Sequence, residues 1–389
     1  MSNRRSPILL LLLVALMLPC FSFHAYAVSG EPLSVSAQSA VLIEAGSGAV
    51  VYEKNAETRL PMASTTKIMT ALVAARLAPL DTEIQIDAGA VGVEGSSIYL
   101  CEGEILSLEE LLYALLLESA NDAATAIAIG LSGSVEAFCA EMNREAESLG
   151  LTDTHFVNPH GLDHGEHYTT AHELALIARA LLENETLAEI VSTQKKTVTT
   201  ADPAHTRYLA NHNRLLRMYD GCIGVKTGYT KRSGRCLVSA AERDGVRLIA
   251  VTLNAPNDWQ DHSDMLDYGF TQYRSVLLCD AEEYRLEVPV VGGTTASLTV
   301  CNAQELRVTL PNRSLTVKTT VELPRFLYAP IKTTESIGKV VYSADLDGDG
   351  TKEVIGEVSL IACQTVERQE QKKSLWQRLI AFFQELFSF

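Results

Sequence analysis

Hydrophobic residues recur along this chain with two different periods, and the change from one to the other divides it. Residues 39–43 and 49–52 read as strands about the turn Ala45-Gly46-Ser47-Gly48, which predicts a hairpin. Between 65 and 77 the apolar positions Ile68, Met69, Leu72, Val73 and Leu77 keep helical spacing. Ser107-Leu108-Glu109-Glu110 has the form of a capping box and predicts a helix through about Leu117. Further helices are predicted over 122–131, 134–148 and 170–183, with Gly150 placed to end the middle one. After about residue 205 the pattern turns to strands, over 221–226, 235–241 and 247–254, the last two joined by Arg243-Asp244-Gly245. A helix over 258–274 follows. Helices enclosed between an early hairpin and a late antiparallel meander predict an α+β domain over residues 28–274, with helices packed on a sheet.

A second unit follows over 275–366. Alternating stretches at 284–291, 297–300, 305–310, 314–321, 338–344 and 353–361 make it a small all-β domain. The tail, 367–389, differs again. A polar stretch leads into Leu375, Trp376, Leu379, Ile380, Phe383, Leu386 and Phe387 on one helical stripe, interrupted by Gln377, Arg378, Gln384 and Glu385. This segment is too short and too polar to span a bilayer. It suits an amphipathic helix lying on a membrane surface, with Lys372, Lys373 and Arg378 near anionic headgroups; a helix docked on its own protein is the plainer alternative.

The other end points to the same compartment. Arg4 and Arg5, an apolar run over 7–18 and the small residues of Ala25-Tyr26-Ala27 form a secretory signal peptide, residues 1–27, with cleavage expected after Ala27. The protein is therefore expected to be exported, to the outer face of the cytoplasmic membrane. Loss of Arg4 and Arg5 takes the net charge from −16 to about −18, which repels phosphate backbones and excludes nucleic acid as a partner. Seven cysteines follow the cleavage point without C-x-x-C spacing, against a zinc or redox framework. Cys222 and Cys236 fall on neighbouring predicted strands and are placed to pair; the other reading is that the cysteines are small buried apolar residues.

Three short motifs carry chemistry: Ser64-Thr65-Thr66-Lys67, Ser119-Ala120-Asn121 and Lys226-Thr227-Gly228. Each alone occurs by chance in many proteins; the three in this order are far more specific. A serine hydroxyl needs a neighbouring base before it attacks. Ser64 and Lys67, three apart at a helix start, share a face. Lys67 acts as a base only if its ammonium form is disfavoured, by burial and by a second cation, for which Lys226 is the candidate. Ser119 and Asn121 lie in a turn between helices, where helix capping is their ordinary use. Lys226 and Thr227 are suited to grip a carboxylate, and Gly228 lets a backbone lie close to the strand edge.

With these motifs the chain resembles the low-molecular-mass penicillin-binding D-alanyl-D-alanine carboxypeptidases, over nearly its whole length. Asn158-Pro159-His160-Gly161-Leu162 and Asn211-His212-Asn213-Arg214-Leu215-Leu216 add to the likeness. The resemblance implies a penicillin-recognising, β-lactamase-like domain followed by a small β domain and a terminal amphipathic helix. It implies Ser64 as nucleophile, Lys67 as base and Ser119 as proton relay. It implies Asn121, Lys226, Thr227, Gly228 and Tyr229 around the substrate, with the N–H groups of Ser64 and Tyr229 as oxyanion hole. The substrate would be a peptidoglycan stem peptide ending in D-Ala-D-Ala, and β-lactams would acylate Ser64 and leave slowly. No metal or cofactor is expected. His160, His164, His167 and His172 lack a carboxylate partner on a common helix face.

Two stretches depart from the family pattern. Lys231-Arg232-Ser233-Gly234-Arg235 is unusually basic beside the expected cleft. Asp345-Leu346-Asp347-Gly348-Asp349-Gly350 resembles the start of a calcium loop, but Gly356 stands where the twelfth ligand belongs, so an Asp/Gly-rich turn is expected. Rival readings are a cross-link endopeptidase, a class A-like β-lactamase using Glu166 or Glu173, and a non-catalytic wall-binding scaffold.

Overall fold

The computed structural model describes residues 33–199, 206–346, 348–370 and Trp376; the expected signal peptide and, apart from Trp376, residues 371–389 of the tail lie outside them. The early hairpin forms as β1 (Ser39–Glu44) and β2 (Val50–Lys54). Every residue of β1 is buried, which marks a sheet covered on both faces. A 3-10 turn, Ala63–Thr66, leads into α1 (Lys67–Leu77). A short ladder of β3 (Glu83–Gln85) and β4 (Ile105–Ser107) precedes α2 (Leu108–Leu117), which Ser107 and Glu110 close with the predicted capping box. Then come α3 (Asn121–Ser132), α4 (Val135–Ser148), α5 (Ala171–Glu183) and α6 (Glu185–Ser192). β5 (Lys195–Val198) pairs with β6 (Arg207–Ala210), and α7 (Leu215–Met218) is a single turn. The meander is β7 (Cys222–Thr230), β8 (Gly234–Arg243) and β9 (Val246–Leu253), followed by α8 (Asp258–Gln272).

These strands form one antiparallel sheet in the order β2-β1-β9-β8-β7, the hairpin at one side and β7 at the other. Val41, Ile43, Ile249 and Val251 join the core built by α1–α6. Leu42 and Leu248 lie on the opposite face against Gly269 of α8, where an added Cβ would come within 2.8 Å and 2.6 Å of them. The helices thus lie on both sides of the sheet, and the apolar run of β1 follows from that.

Several elements differ from the expectation. α6, β3, β4, β5 and β6 are too short or too polar to show a period. β7 runs on to Thr230, so Lys226-Thr227-Gly228 lies inside a strand rather than at its end. Cys222 and Cys236 do not pair. Cys222 stands opposite Ala241 and Cys236 opposite Gly228, which separates them by roughly 20 Å along β7.

The second core belongs to β10 (Tyr273–Cys279), β11 (Arg285–Val291), β12 (Ser297–Asn302), β13 (Leu306–Pro311), β14 (Lys318–Glu322), β15 (Leu327–Tyr328), β16 (Ser336–Ala344) and β17 (Glu353–Ala362). β10 pairs with β13, and the rest form a sheet ordered β14-β16-β17-β12-β11-β15 over Val288, Leu298, Val300, Val340 and Leu360. Between β16 and β17 the Asp345 carboxylate accepts the N–H groups of Gly348 and Gly350, at 2.6 Å and 3.0 Å, and so closes its own turn; Asp347 is outside the described residues.

Candidate active site

Ser64 stands in the 3-10 turn and Lys67 opens α1, so three residues of helix bring amine and hydroxyl together. Lys67 Nζ lies 3.1 Å from Ser64 Oγ, 2.7 Å from Asn121 Oδ1 and 2.5 Å from the His160 carbonyl. The side chain is completely buried. Burial chiefly, and then the charge of Lys226, hold its pKa well below the ordinary lysine range, while Asp122 pulls the other way. A neutral amine has two N–H groups and one lone pair. The two fixed acceptors, Asn121 Oδ1 and the His160 carbonyl, use both N–H groups, which leaves the lone pair for the Ser64 hydroxyl.

Each acceptor is itself held. Asn121 Nδ2 donates to the Glu94 carbonyl, which fixes the amide so that its oxygen faces Lys67. Asp122, fully buried beside it, accepts from Ser97 Oγ (2.6 Å) and from the N–H groups of Leu100 (3.1 Å) and Ile98 (3.3 Å), tying the preceding loop to α3. The His160 carbonyl is delivered by the 158–162 segment. Thr70 Oγ1 donates to the Pro159 carbonyl, and Asn158 Oδ1 accepts from Gly161 N–H. Gly161 packs so closely on Ala63 that a Cβ would lie 1.9 Å from its carbonyl oxygen.

His160 and His167 serve this scaffold, while His172 pairs with Glu57 at 2.7 Å and His164 is exposed. Burial, then Lys67, lowers His160 to about 4, so its ring is neutral. His167 Nδ1 accepts from Val157 N–H, so Nε2 carries the proton and donates to Thr66 Oγ1 at 2.8 Å. Among the described residues no cluster of three His, Cys, Asp or Glu side chains is arranged to hold a metal ion.

From the other side comes β7. A Cβ at Gly228 would lie 2.9 Å from Ser64 N and 3.1 Å from Thr65 N. The glycine therefore admits the backbone of Ser64 against the strand. Lys226 is buried; Nζ donates to the Thr227 carbonyl at 2.9 Å, and burial lowers its pKa to about 7 against the pull of Glu118. It shares a face of β7 with Gly228, the face that packs on the turn carrying Ser64. Ser64, Ser119, Thr227, Gly228 and Tyr229 line a cavity of about 340 Å³. Ser119 takes a left-handed φ of 60°, a costly conformation for a non-glycine residue, at that wall. A larger cleft of about 840 Å³, between Ser47 and Thr309, holds none of these groups.

The remaining lining is Ser96, His212, Arg235, Asp258 and Trp259, none of which the sequence singled out as a site residue. Arg235 stands directly across from Tyr229 in the β7–β8 register. Its guanidinium is 2.9 Å from the Asp258 carboxylate and 5.7 Å from the centre of the Trp259 ring, and the side chain is 44% exposed. The basic run after Thr230 was visible. That a tight turn would return Arg235 level with Tyr229 needed the register.

A family model described as D-alanyl-D-alanine carboxypeptidase matches residues 26–257. D-alanyl-D-alanine carboxypeptidase DacF of Bacillus subtilis is 32% identical over 86% of this chain and 89% of its own length. DacC of Escherichia coli, of the same description, is 30% identical over 92% and 91%. Among solved structures, penicillin binding protein 5 from Haemophilus influenzae superposes with a TM-score of 0.64 at 28% identity, covering 87% of this chain and 99% of that one. DacD from Francisella tularensis gives 0.60 at 30%, covering 87% and 95%.

Proposed function

The chain belongs to the D-alanyl-D-alanine carboxypeptidase family, and from that premise we propose how its cleft cuts a stem peptide. Neutral Lys67 takes the Ser64 proton as Oγ attacks the carbonyl between the two terminal D-alanines. The N–H groups of Ser64 and Tyr229 receive the oxyanion. Ser119, supplied through Lys67 or Lys226, hands a proton to the departing D-alanine nitrogen. Water then attacks the acyl ester, with Lys67 again as base, and frees the shortened peptide. The observation that carries this reading is the Lys67 amine, buried, doubly hydrogen-bonded and facing Ser64.

The departing end carries a carboxylate. Lys226, Thr227 and the exposed, Asp258-braced guanidinium of Arg235 are its partners, and Lys226 also tunes Lys67. A β-lactam presents the same end and acylates Ser64. Its release is slow, because no glutamate among the described residues lines the cleft to activate water. Glu173 is occupied by Thr152 and Asp153 N–H and by Thr154 Oγ1, and Glu166 is an exposed loop residue; neither lines the cavity. This favours a carboxypeptidase over a β-lactamase. An enzyme that acts on wall peptides has its substrate outside the cytoplasmic membrane, and the amphipathic tail read from the sequence is our candidate for holding it there.

The test is Ser64→Ala. D-Ala release from a D-Ala-D-Ala stem peptide should fall by about 10⁴-fold or more, with no covalent penicillin adduct and an unchanged melting temperature. Persistent release would remove Ser64 from the mechanism. Cross-linked wall fragments run beside the stem peptide separate carboxypeptidase from endopeptidase action.

A further inference from the structure

We propose that Cys301 and Cys363 form an intramolecular disulfide that ties the end of β17 to its neighbour β12 in the β-rich region. The pairing follows from register. On β12 and β17, Val300 stands opposite Ala362 and Cys301 opposite Ile361. One step further, Cys363 N–H donates to the Thr299 carbonyl at 3.0 Å, so Cys363 is level with Thr299. Cys301 and Cys363 are therefore diagonal neighbours on one face of the sheet. Their sulfurs are in contact, 2.6 Å apart.

Neither cysteine is free to swing away. Next to Cys301, the buried Asn302 donates to the carbonyls of Asp280 (2.7 Å) and Gln304 (2.9 Å) and accepts from Tyr284 N–H (2.9 Å). Beyond Cys363, Val366 and Ile331 exchange two backbone hydrogen bonds, at 2.9 Å and 3.0 Å. Among the described residues no other two cysteine sulfurs meet. Those of Cys101, Cys222 and Cys236 reach backbone carbonyls, and that of Cys279 accepts from Asn302.

Closure needs an oxidant that itself carries a disulfide, either a small molecule or a protein. The more exposed Cys363 thiolate attacks one oxidant sulfur, forms a mixed disulfide and expels the first thiol. The Cys301 thiolate then displaces the second. One Sγ–Sγ bond forms, two protons leave the cysteines, and the oxidant's disulfide takes two electrons and becomes two thiols. Burial and the neighbouring sulfur both push the Cys363 thiol up, so the reduced pair is poorly reactive once the sheet has closed. The bond therefore forms as the chain assembles. It closes a 62-residue separation that contains β13 to β17, which restricts the unfolded state of this region.

The experiment refolds the mature chain in excess oxidised glutathione, blocks remaining thiols with N-ethylmaleimide and digests without reductant. The expected product is a peptide containing Cys301 joined to one containing Cys363, two hydrogens lighter than the separate peptides. The oxidised chain should melt higher than the reduced one by about 10 °C. The Cys301→Ser/Cys363→Ser variant should melt like the reduced parent under both conditions and release D-Ala at the parent rate. Both cysteines found blocked, glutathionylated or joined to other cysteines would overturn the proposal, as would identical melting of the oxidised and reduced parent.

Discussion

The two cores of this protein treat charge in opposite ways. The α+β core holds Lys67, Lys226 and Asp122 away from water, each with fixed partners. The β-rich core is apolar, and its ion pairs, such as Arg285–Glu282, Arg307–Glu305 and Lys339–Glu357, are exposed. Exposed pairs contribute little to stability, because water screens them and two long side chains must be held still. Buried ones cost stability and change chemistry, because a lysine out of water gives up its proton. The contrast shows where the fold was built around a reaction and where it was built to hold a shape.

The sharpest way to break that contrast is at Asp122. Asp122→Ala leaves Ser97 Oγ and two backbone N–H groups without their acceptor, for a loss of about 3 kcal/mol in urea unfolding. By loosening α3 at Asn121 it should also lower kcat/KM about 100-fold. Unchanged kinetics would mean that the loop does not position the base.

A second test reads the buried amines through pH. Lys226 titrates near 7 when folded and at about 10.4 when unfolded. Between pH 7 and 8.5 the unfolded chain thus binds more protons, and stability must rise with pH, by up to about 1.4 kcal/mol per unit. Lys67, also lowered, acts in the same direction. Above that window the unfolded thiols ionise while the raised Cys222 and Cys236 do not, which opposes the rise. Lys226→Met should flatten the slope between 7 and 8.5; an equal slope in both proteins refutes the buried-charge account.

Arg235→Gln should raise KM for a stem peptide about tenfold with little change in kcat, since carboxylate binding is common to ground and transition states. An effect confined to kcat would place Arg235 in the chemistry instead. The smallest effect belongs to the β-rich core. Tyr342→Phe removes the 2.8 Å bond to Tyr284 Oη and should cost about 1 kcal/mol of stability with kcat/KM unchanged. A loss of activity here would show that the two cores are coupled.

How much was legible beforehand follows the same division of forces. Long amphipathic helices and the meander were readable, because their periods persist over many residues. The meeting of Lys67 with Ser64 was readable because their spacing is local. Residues whose roles depend on tertiary register were not. Arg235 is brought to Tyr229 by a turn, the His160 carbonyl reaches Lys67 from a loop 93 residues away, and the Lys226 amine is buried against the Thr227 carbonyl. Sequence pattern reports which side chains an element has; it does not report which backbone oxygen a distant loop will supply.

Gly228 has a consequence for drug escape. Any side chain there would strike the turn that carries Ser64, so a chain cannot evade a β-lactam at this position without disabling its own turnover. Tyr229, 66% exposed one residue on, and Arg235 across from it have no such obligation. Resistance that keeps the enzyme working therefore has to enter from the rim of the cleft, and inhibitors that lean on the glycine seam instead of the rim close that route.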